Sequence, residues 1–127
     1  MADYTPVYVS GVNPLTKTAS AAITGGQLVE ITTASSVGPA GAASTKVAGV
    51  AAHDAASGAR VTVWPLVNVE HEIVSTGTIA VGDGIAAGAA GVAATVVVAT
   101  GAAAGTLIGR ATTAATGGAK VRFVGGS

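Results

Sequence analysis

Apolar and polar residues alternate along several short segments of the chain, which is the pattern of half-buried β-strands. Val61 and Val63 alternate with polar or larger neighbours, and Val121 and Phe123 do the same near the end of the chain. The segment 66–73, which follows Pro65, also alternates, with His71 and Ile73 among the residues on one face. We predict a strand at each of these places and interpret 66–73 as a strand that links two parts of the chain.

Glycines mark the turns between these strands. Gly25-Gly26 predicts the turn of a first hairpin, and Gly58 and Gly117-Gly118 precede the strands at 61–63 and 121–123. A helix is hard to place, because Thr, Val and Gly dominate and even the Ala-rich window 85–104 is interrupted by glycines. The pattern therefore indicates an all-β fold.

The chain contains an internal repeat. The segment 47–63 aligns without gaps on 107–123, with identical residues at six of 17 positions, and 22–29 corresponds less closely to 78–85. Repetition of this kind indicates two copies of one structural unit. We predict a single β domain over residues 19–127, built from units at about 19–65 and 75–124. The expected shape is a small barrel or a tulip-like pair of sheets in two lobes.

Residues 1–18 precede the repeat and differ from it. They hold both tyrosines and two of the four prolines of the chain, namely Tyr4, Tyr8, Pro6 and Pro14. We predict an extended N-terminal arm that contacts a partner through these four side chains, because tyrosine gives a large contact area and proline limits the entropy lost on docking. On this view the arm contributes to affinity rather than to folding.

The composition points to association. Half of the 127 residues are apolar, but aromatic residues make up only 3%. A core of small side chains gains little free energy per residue, so docking on a partner or on further copies is an expected source of stability.

Charge excludes one class of partner. Six basic and six acidic residues balance, and no cluster of Lys or Arg forms the stripe that a nucleic acid requires. Residues 1–74 carry three basic and five acidic groups, whereas 75–127 carry three and one. This asymmetry favours head-to-tail contacts between copies, and together with the thin core it predicts a homotrimer.

Three patterns suggest chemistry, and each has a simpler structural explanation. His53, Asp54 and Ser57 contain the residue types of a triad, but neighbouring strand residues point to opposite faces. The same argument separates His71 from the carboxylates beside it as metal ligands. The segment 82–87 fits a loose dinucleotide fingerprint but lacks a following helix. We expect no catalysis, no cofactor and no metal site.

A membrane span is also weakly indicated. Residues 84–109 carry no charge and include three Gly-x-x-x-Gly spacings, but only seven of these 26 residues are Leu, Ile or Val. We therefore expect no membrane partner. The N-terminus lacks the basic and apolar segments of a secretory signal.

Three runs of the sequence, taken in order, resemble the small capsid cement or head decoration proteins of tailed bacteriophages. These runs are 23–30, 47–63 and the closing pair 107–110 and 118–123. The resemblance implies a compact β protein without catalytic residues. It also implies that the chain binds the major capsid protein on the outer surface of the virion, commonly as a trimer, and that it locks neighbouring capsomers together. The lack of a secretory signal predicts synthesis in the host cytoplasm.

A different structural role stays open. Ala/Thr/Gly-rich β chains also form fibre, adhesin or other surface-binding modules, in which flat rows of Thr or Ala make the contact. Modules with such flat rows are solenoids, which need many short repeats. Two units of about fifty residues instead favour a small lobed barrel.

Overall fold

The computed structural model describes residues 3–9 and 13–126, with the backbone alone for Tyr8 and Val9. Within these residues nearly all of the regular secondary structure is β-strand, as the alternating pattern predicts. The strands are β1 (Tyr8–Val9), β2 (Leu15–Ala19), β3 (Leu28–Thr33), β4 (Ser36–Pro39), β5 (Val47–Ala51), β6 (Arg60–Trp64), β7 (Val69–Val74), β8 (Gly84–Ala87), β9 (Ala93–Val96), β10 (Gly109–Ala111) and β11 (Lys120–Gly125). A single 3-10 turn (Ala89–Gly91) and one short helix, α1 (Val98–Ala104), complete the described elements.

The strands form two lobes. In the first lobe β2, β4, β3, β5 and β6 close into a barrel in that order. In the second lobe the sheet order is β1-β7-β11-β10-β8-β9. The predicted all-β, two-lobed fold with a small barrel is confirmed.

The two lobes repeat the same strand pairing. In β5 and β6 Ala51 lies opposite Val63, and in β10 and β11 Ala111 lies opposite Phe123. These four positions are equivalent in the sequence repeat, so the repeat describes the three-dimensional register as well as the order of residue types.

The equivalence extends beyond the aligned segments. β2 pairs with β6 as β7 pairs with β11, so that Leu15 and His71 occupy matching positions opposite Val63 and Phe123. The parallel pairing of β2 with β4 that closes the first barrel is repeated in the second lobe as a single bridge between Ser75 and Ala93. The second lobe is therefore a looser copy of the first barrel.

This correspondence moves the predicted boundaries. Residues 15–18, assigned to the arm, belong to β2 and are part of the first barrel. The segment 66–73, interpreted as a linking strand, overlaps β7 at residues 69–73, and β7 is the first strand of the second unit. Val67 lies outside this strand and is 60% exposed. Both unit starts lie upstream of those predicted, because the first strand of each unit shows too little sequence similarity to its counterpart.

The Ala-rich window, for which the sequence predicts no clear element, is ordered into several short ones. It contains β8, the 3-10 turn, β9 and α1. Helix α1 ends at Gly105, which has φ of 77° and caps the last turn in the left-handed conformation that glycine adopts at low cost. The helix lies in the connection 97–108, which is longer than the equivalent connection 40–46 of the first lobe.

The cores of the two lobes differ in origin. One cluster is confined to the first barrel and includes Val29, Val61 and Val63. The other is centred on Phe123 in the second lobe and also contains residues of the first lobe: Leu28, Ala40 and Val50, with Tyr4 and Val47 packed against it. The second core is therefore completed by the first lobe.

Candidate functional site

The N-terminal strap, which we define as residues 3–9, crosses both lobes. Asp3 forms a bridge with His53, and the Tyr4 amide donates to the Ala52 carbonyl of the first lobe. Further along, the Val7 amide donates to the Glu70 carbonyl at 2.8 Å, and β1 pairs antiparallel with β7. The strap thereby ties the first lobe to the edge strand of the second.

Tyr4 and His71 form the centre of this contact. The His71 Nε2–H donates to the Pro65 carbonyl at 2.8 Å, because a carbonyl can only accept. The neutral Nδ1 therefore accepts from the Tyr4 hydroxyl at 2.6 Å, and that hydroxyl accepts from the Glu72 amide at 3.2 Å. The His71 ring lies between the rings of Tyr4 and Phe123, with centroid distances of 5.7 and 5.6 Å.

Burial keeps both groups of this pair neutral. Desolvation lowers the pKa of His71 from 6.5 to about 4, and the hydrogen bond to Pro65 opposes that shift only in part. Desolvation also raises the pKa of Tyr4 above its usual value, with a smaller opposing effect from the Glu72 amide. The pair acts as a structural clamp at neutral pH.

The structure places the four predicted contact residues differently. Tyr4 is half-buried in the clamp and Pro6 is buried, so these two are packed within the molecule and the idea of an arm kept outside the fold is corrected for them. Pro14 is exposed, and the side chain of Tyr8 lies outside the described part of the structure. Contact of these residues with a partner stays a prediction.

A second feature, not predicted from the sequence, is the open end of the first barrel. We call it the first-lobe mouth; it encloses a volume of about 350 Å³, and its lining includes Leu15, Lys17, Ile31, Val37 and Val47. Leu15 and Ile31 are 47% and 48% exposed although both are large and apolar. The cross-strand pairing of Leu15 with Val63, which is fully buried, shows that Leu15 faces the barrel interior. The sequence signal for this mouth is limited to its apolar residues, such as Leu15 and Ile31, which also fit a closed core.

The residues considered for catalysis form hydrogen bonds with the backbone. His53 Nδ1 contacts the Asp54 carbonyl at 2.9 Å, and His53 Nε2 accepts from the Thr62 amide at 3.3 Å. Asp54 accepts from the Gly25 amide at 2.9 Å, and Ser57 donates to the Ser20 carbonyl at 3.3 Å. These side chains hold turns and strands together, which is a structural role.

The structure also bears on the segments considered for nucleotide binding, metal binding and membrane insertion. The segment 82–87 enters strand β8 rather than a helix. Among the residues that the structure describes, no group of three or more His, Asp or Glu side chains could hold a metal ion. In the same part of the chain, no helix has the length and apolar character needed to cross a membrane.

The charge asymmetry between the two halves of the sequence does not carry over to the lobes. Glu70 and Glu72 fall in the first half of the sequence but belong to β7 in the second lobe. Glu72 accepts from Arg122 Nε at 3.0 Å, across the β7–β11 pair. The structure therefore does not support the electrostatic argument for head-to-tail contacts between copies.

Comparison with known proteins identifies an informative structural similarity. No protein-family model and no curated protein matches the chain. Among solved structures, the N base of the head fibre gp8.5 of bacteriophage phi29 is similar, with a TM-score of 0.71 and 21% sequence identity. The similarity covers 90% of this chain and 93% of that one. The two-lobed fold described above is thus shared, over nearly its whole length, with the base of a bacteriophage head fibre.

Proposed function

We propose that this chain is a structural protein of a bacteriophage virion that binds the outer surface of the capsid. The observation that carries the proposal is the shared fold with a phage head-fibre base over nine-tenths of the chain. The resemblance of 23–30, 47–63, 107–110 and 118–123 to capsid decoration proteins points to the same class of protein.

The mode of action is binding without turnover. The histidines of the described residues are committed to structural hydrogen bonds, and the conspicuous exposed features are apolar rather than chemically reactive. We propose that the bound protein cements neighbouring capsomers and that its copies assemble as a trimer on the major capsid protein. The thin core supports this association, since a partner can supply burial that the chain lacks.

The test is reconstitution on particles of the phage that encodes the chain. Particles produced without the gene are mixed with purified protein, sedimented and imaged by cryo-electron microscopy. We expect saturable binding at defined positions on the outer surface, in groups of three. Particles that carry the protein should withstand heating or chelators longer than bare particles. Binding without any gain in particle stability would remove the cementing role and leave the location intact.

A fibre base is the second candidate, and the identity of the structural neighbour favours it. In that case the chain would anchor a projecting appendage on the capsid instead of locking capsomers. The same images separate the two roles, because a fibre base carries additional density that extends away from the shell, whereas a cement protein ends at its own two lobes.

A further inference from the structure

The two lobes have equivalent mouths that differ in what fills them. In the second lobe, Leu28, Ala40 and Val50 of the first lobe belong to the same core cluster as Ala87, and Tyr4 from the strap packs against that cluster. His71 and Ala87, which line this second mouth, are 0% and 3% exposed. These two positions of the second lobe are therefore covered by segments from outside that lobe's own sheet.

The first-lobe mouth has no such filling within the described residues. Leu15 is equivalent to His71, because β2 pairs with β6 as β7 pairs with β11. Ile31 is equivalent to Ala87, because β3 pairs with β4 as β8 pairs with β9. Yet Leu15 and Ile31 are about half exposed. Two large apolar side chains at positions that are buried in the other lobe indicate a surface that is covered when the protein is in place.

A second copy of the chain does not suit this mouth. In the contact between the lobes, the first lobe contributes Leu28, Ala40 and Val50. A second copy that repeated this contact would have to insert the equivalent residues of its second lobe. Those residues include Gly84 in place of Leu28 and an exposed Arg110 in place of Val50, and α1 is inserted beside them. Such a contact would bring a guanidinium towards Lys17 and the apolar rim, which is unfavourable.

The positive charge in the mouth lining indicates which chemical group a bound segment should carry. Lys17 is half-buried in the mouth lining, and within the described part of the chain it forms no ion pair. A carboxylate is therefore the complementary group. In the second lobe the filling comes in part from an extended segment in which an acidic residue, Asp3, is followed directly by an aromatic one, Tyr4.

We propose that the first-lobe mouth accepts an extended segment of the capsid protein that places a large apolar side chain over Leu15 and Ile31 and a carboxylate beside Lys17. The inference rests on the proposed function and specifies which surface of the chain makes the contact and which kind of segment it takes. A polar substitution at the half-exposed Leu15 or Ile31 should leave the fold intact while weakening docking.

The test compares matched variants on the same particles. Leu15→Ser and Ile31→Ser change the mouth, while Val81→Ser and Val97→Ser change apolar residues of the second lobe that are 67% and 71% exposed. We expect the mouth variants to bind particles about tenfold more weakly, with unchanged melting temperatures, and the controls to bind normally. Equal binding by all four variants, with normal binding of the unaltered chain, would overturn the inference alone. Failure of the unaltered chain to bind would remove the proposed function and this inference with it.

The charge requirement and the identity of the occupant are tested separately. Lys17→Glu should weaken binding more than Lys120→Glu, an equal charge change at an exposed lysine of the second lobe. A photo-crosslinking residue at position 31 should link to one extended segment of the capsid protein in assembled particles. Crosslinks to a second copy of this chain, or a Lys17→Glu variant that binds as well as Lys120→Glu, would show that the mouth has a different occupant.

Discussion

His71 is fully buried between two rings and uses both ring nitrogens, although histidine titrates near neutral pH in water. The site suits only the uncharged ring. A proton on Nδ1 would remove the acceptor for the Tyr4 hydroxyl and would place a charge in an apolar environment. The equivalent residue in the first lobe is Leu15, which cannot titrate.

We predict that stability falls in mild acid because of His71. The unfolded chain binds this proton with a pKa near 6.5 and the folded chain with a pKa of about 4. The unfolded state thus gains protons first, so the stabilisation is complete above about pH 6.5 and is lost as the pH drops toward 4. The full loss is about 3 kcal/mol, since one pKa unit corresponds to about 1.4 kcal/mol.

Urea unfolding between pH 5 and 7 measures this dependence. His71→Leu, which copies the first-lobe residue, should flatten the profile in that range. A slope that persists in His71→Leu would assign the effect to another group.

Gly49 and Gly109 are equivalent positions at which a side chain has no room. A Cβ at Gly49 would collide with the Trp64 carbonyl oxygen, and one at Gly109 would collide with the Val124 carbonyl oxygen. Backbone atoms of a paired strand cannot move aside independently. The repeated glycine in the two units therefore has a steric cause.

We predict that Gly49→Ala and Gly109→Ala each destabilise the protein by roughly 1–3 kcal/mol through overpacking. Gly41→Ala is the control, because the nearest atom to a Cβ added at that position, Glu30 Oε1, would lie 4.0 Å away. Thermal unfolding followed by circular dichroism gives the comparison. A neutral Gly109→Ala would indicate that β10 and β11 separate easily.

The strap is the element whose role differs most between sequence and structure. The sequence predicts that its residues stand apart from the fold, but Tyr4 completes the core of the second lobe and β1 pairs with part of β7. Edge strands are usually covered in this way, because unpaired backbone groups invite association. The strap is thus part of the folded unit.

We predict that removing residues 2–9 lowers the melting temperature, in contrast to the expectation for a free arm. Tyr4→Phe alone should cost about 1–3 kcal/mol, because it leaves His71 Nδ1 and the Glu72 amide without their partner. Thr5→Ala, at an exposed strap position, is the matched control. A truncated chain that melts like the intact one would restore the free-arm interpretation.

The lobes depend on each other unequally. The first barrel has a core cluster of its own, whereas the second-lobe core includes Leu28, Ala40 and Val50 from the first lobe. We predict that a fragment of residues 66–127 is unfolded alone and folds when a fragment of residues 1–65 is added. Dispersion of amide signals in NMR spectra would report this. A second-lobe fragment that is fully folded in isolation would show that the shared packing is dispensable.

The sequence was a good guide wherever burial alternates along a strand. Val61, Val63, Val121 and Phe123 are all fully buried as predicted, and the gapless alignment of 47–63 on 107–123 reproduces the observed strand register. It also predicted a strand at 66–73, where β7 lies, but it placed residues 15–18 in the arm and did not indicate that β2 and β7 are equivalent. Their equivalence rests on pairing with β6 and β11, and Leu15 and His71 share no residue type that an alignment could detect.

The sequence by itself determined the all-β class, the two-unit repeat and the turns at glycine, because alternation and steric freedom are local properties of the chain. Tertiary structure alone decided which mouth is filled and which is open, and it turned Tyr4 from an expected contact residue into part of a clamp. These features depend on distant segments meeting: Tyr4 and His71 are 67 positions apart in sequence. Local pattern carries no information on such encounters, since the same apolar residue serves equally in a closed core or at an open mouth.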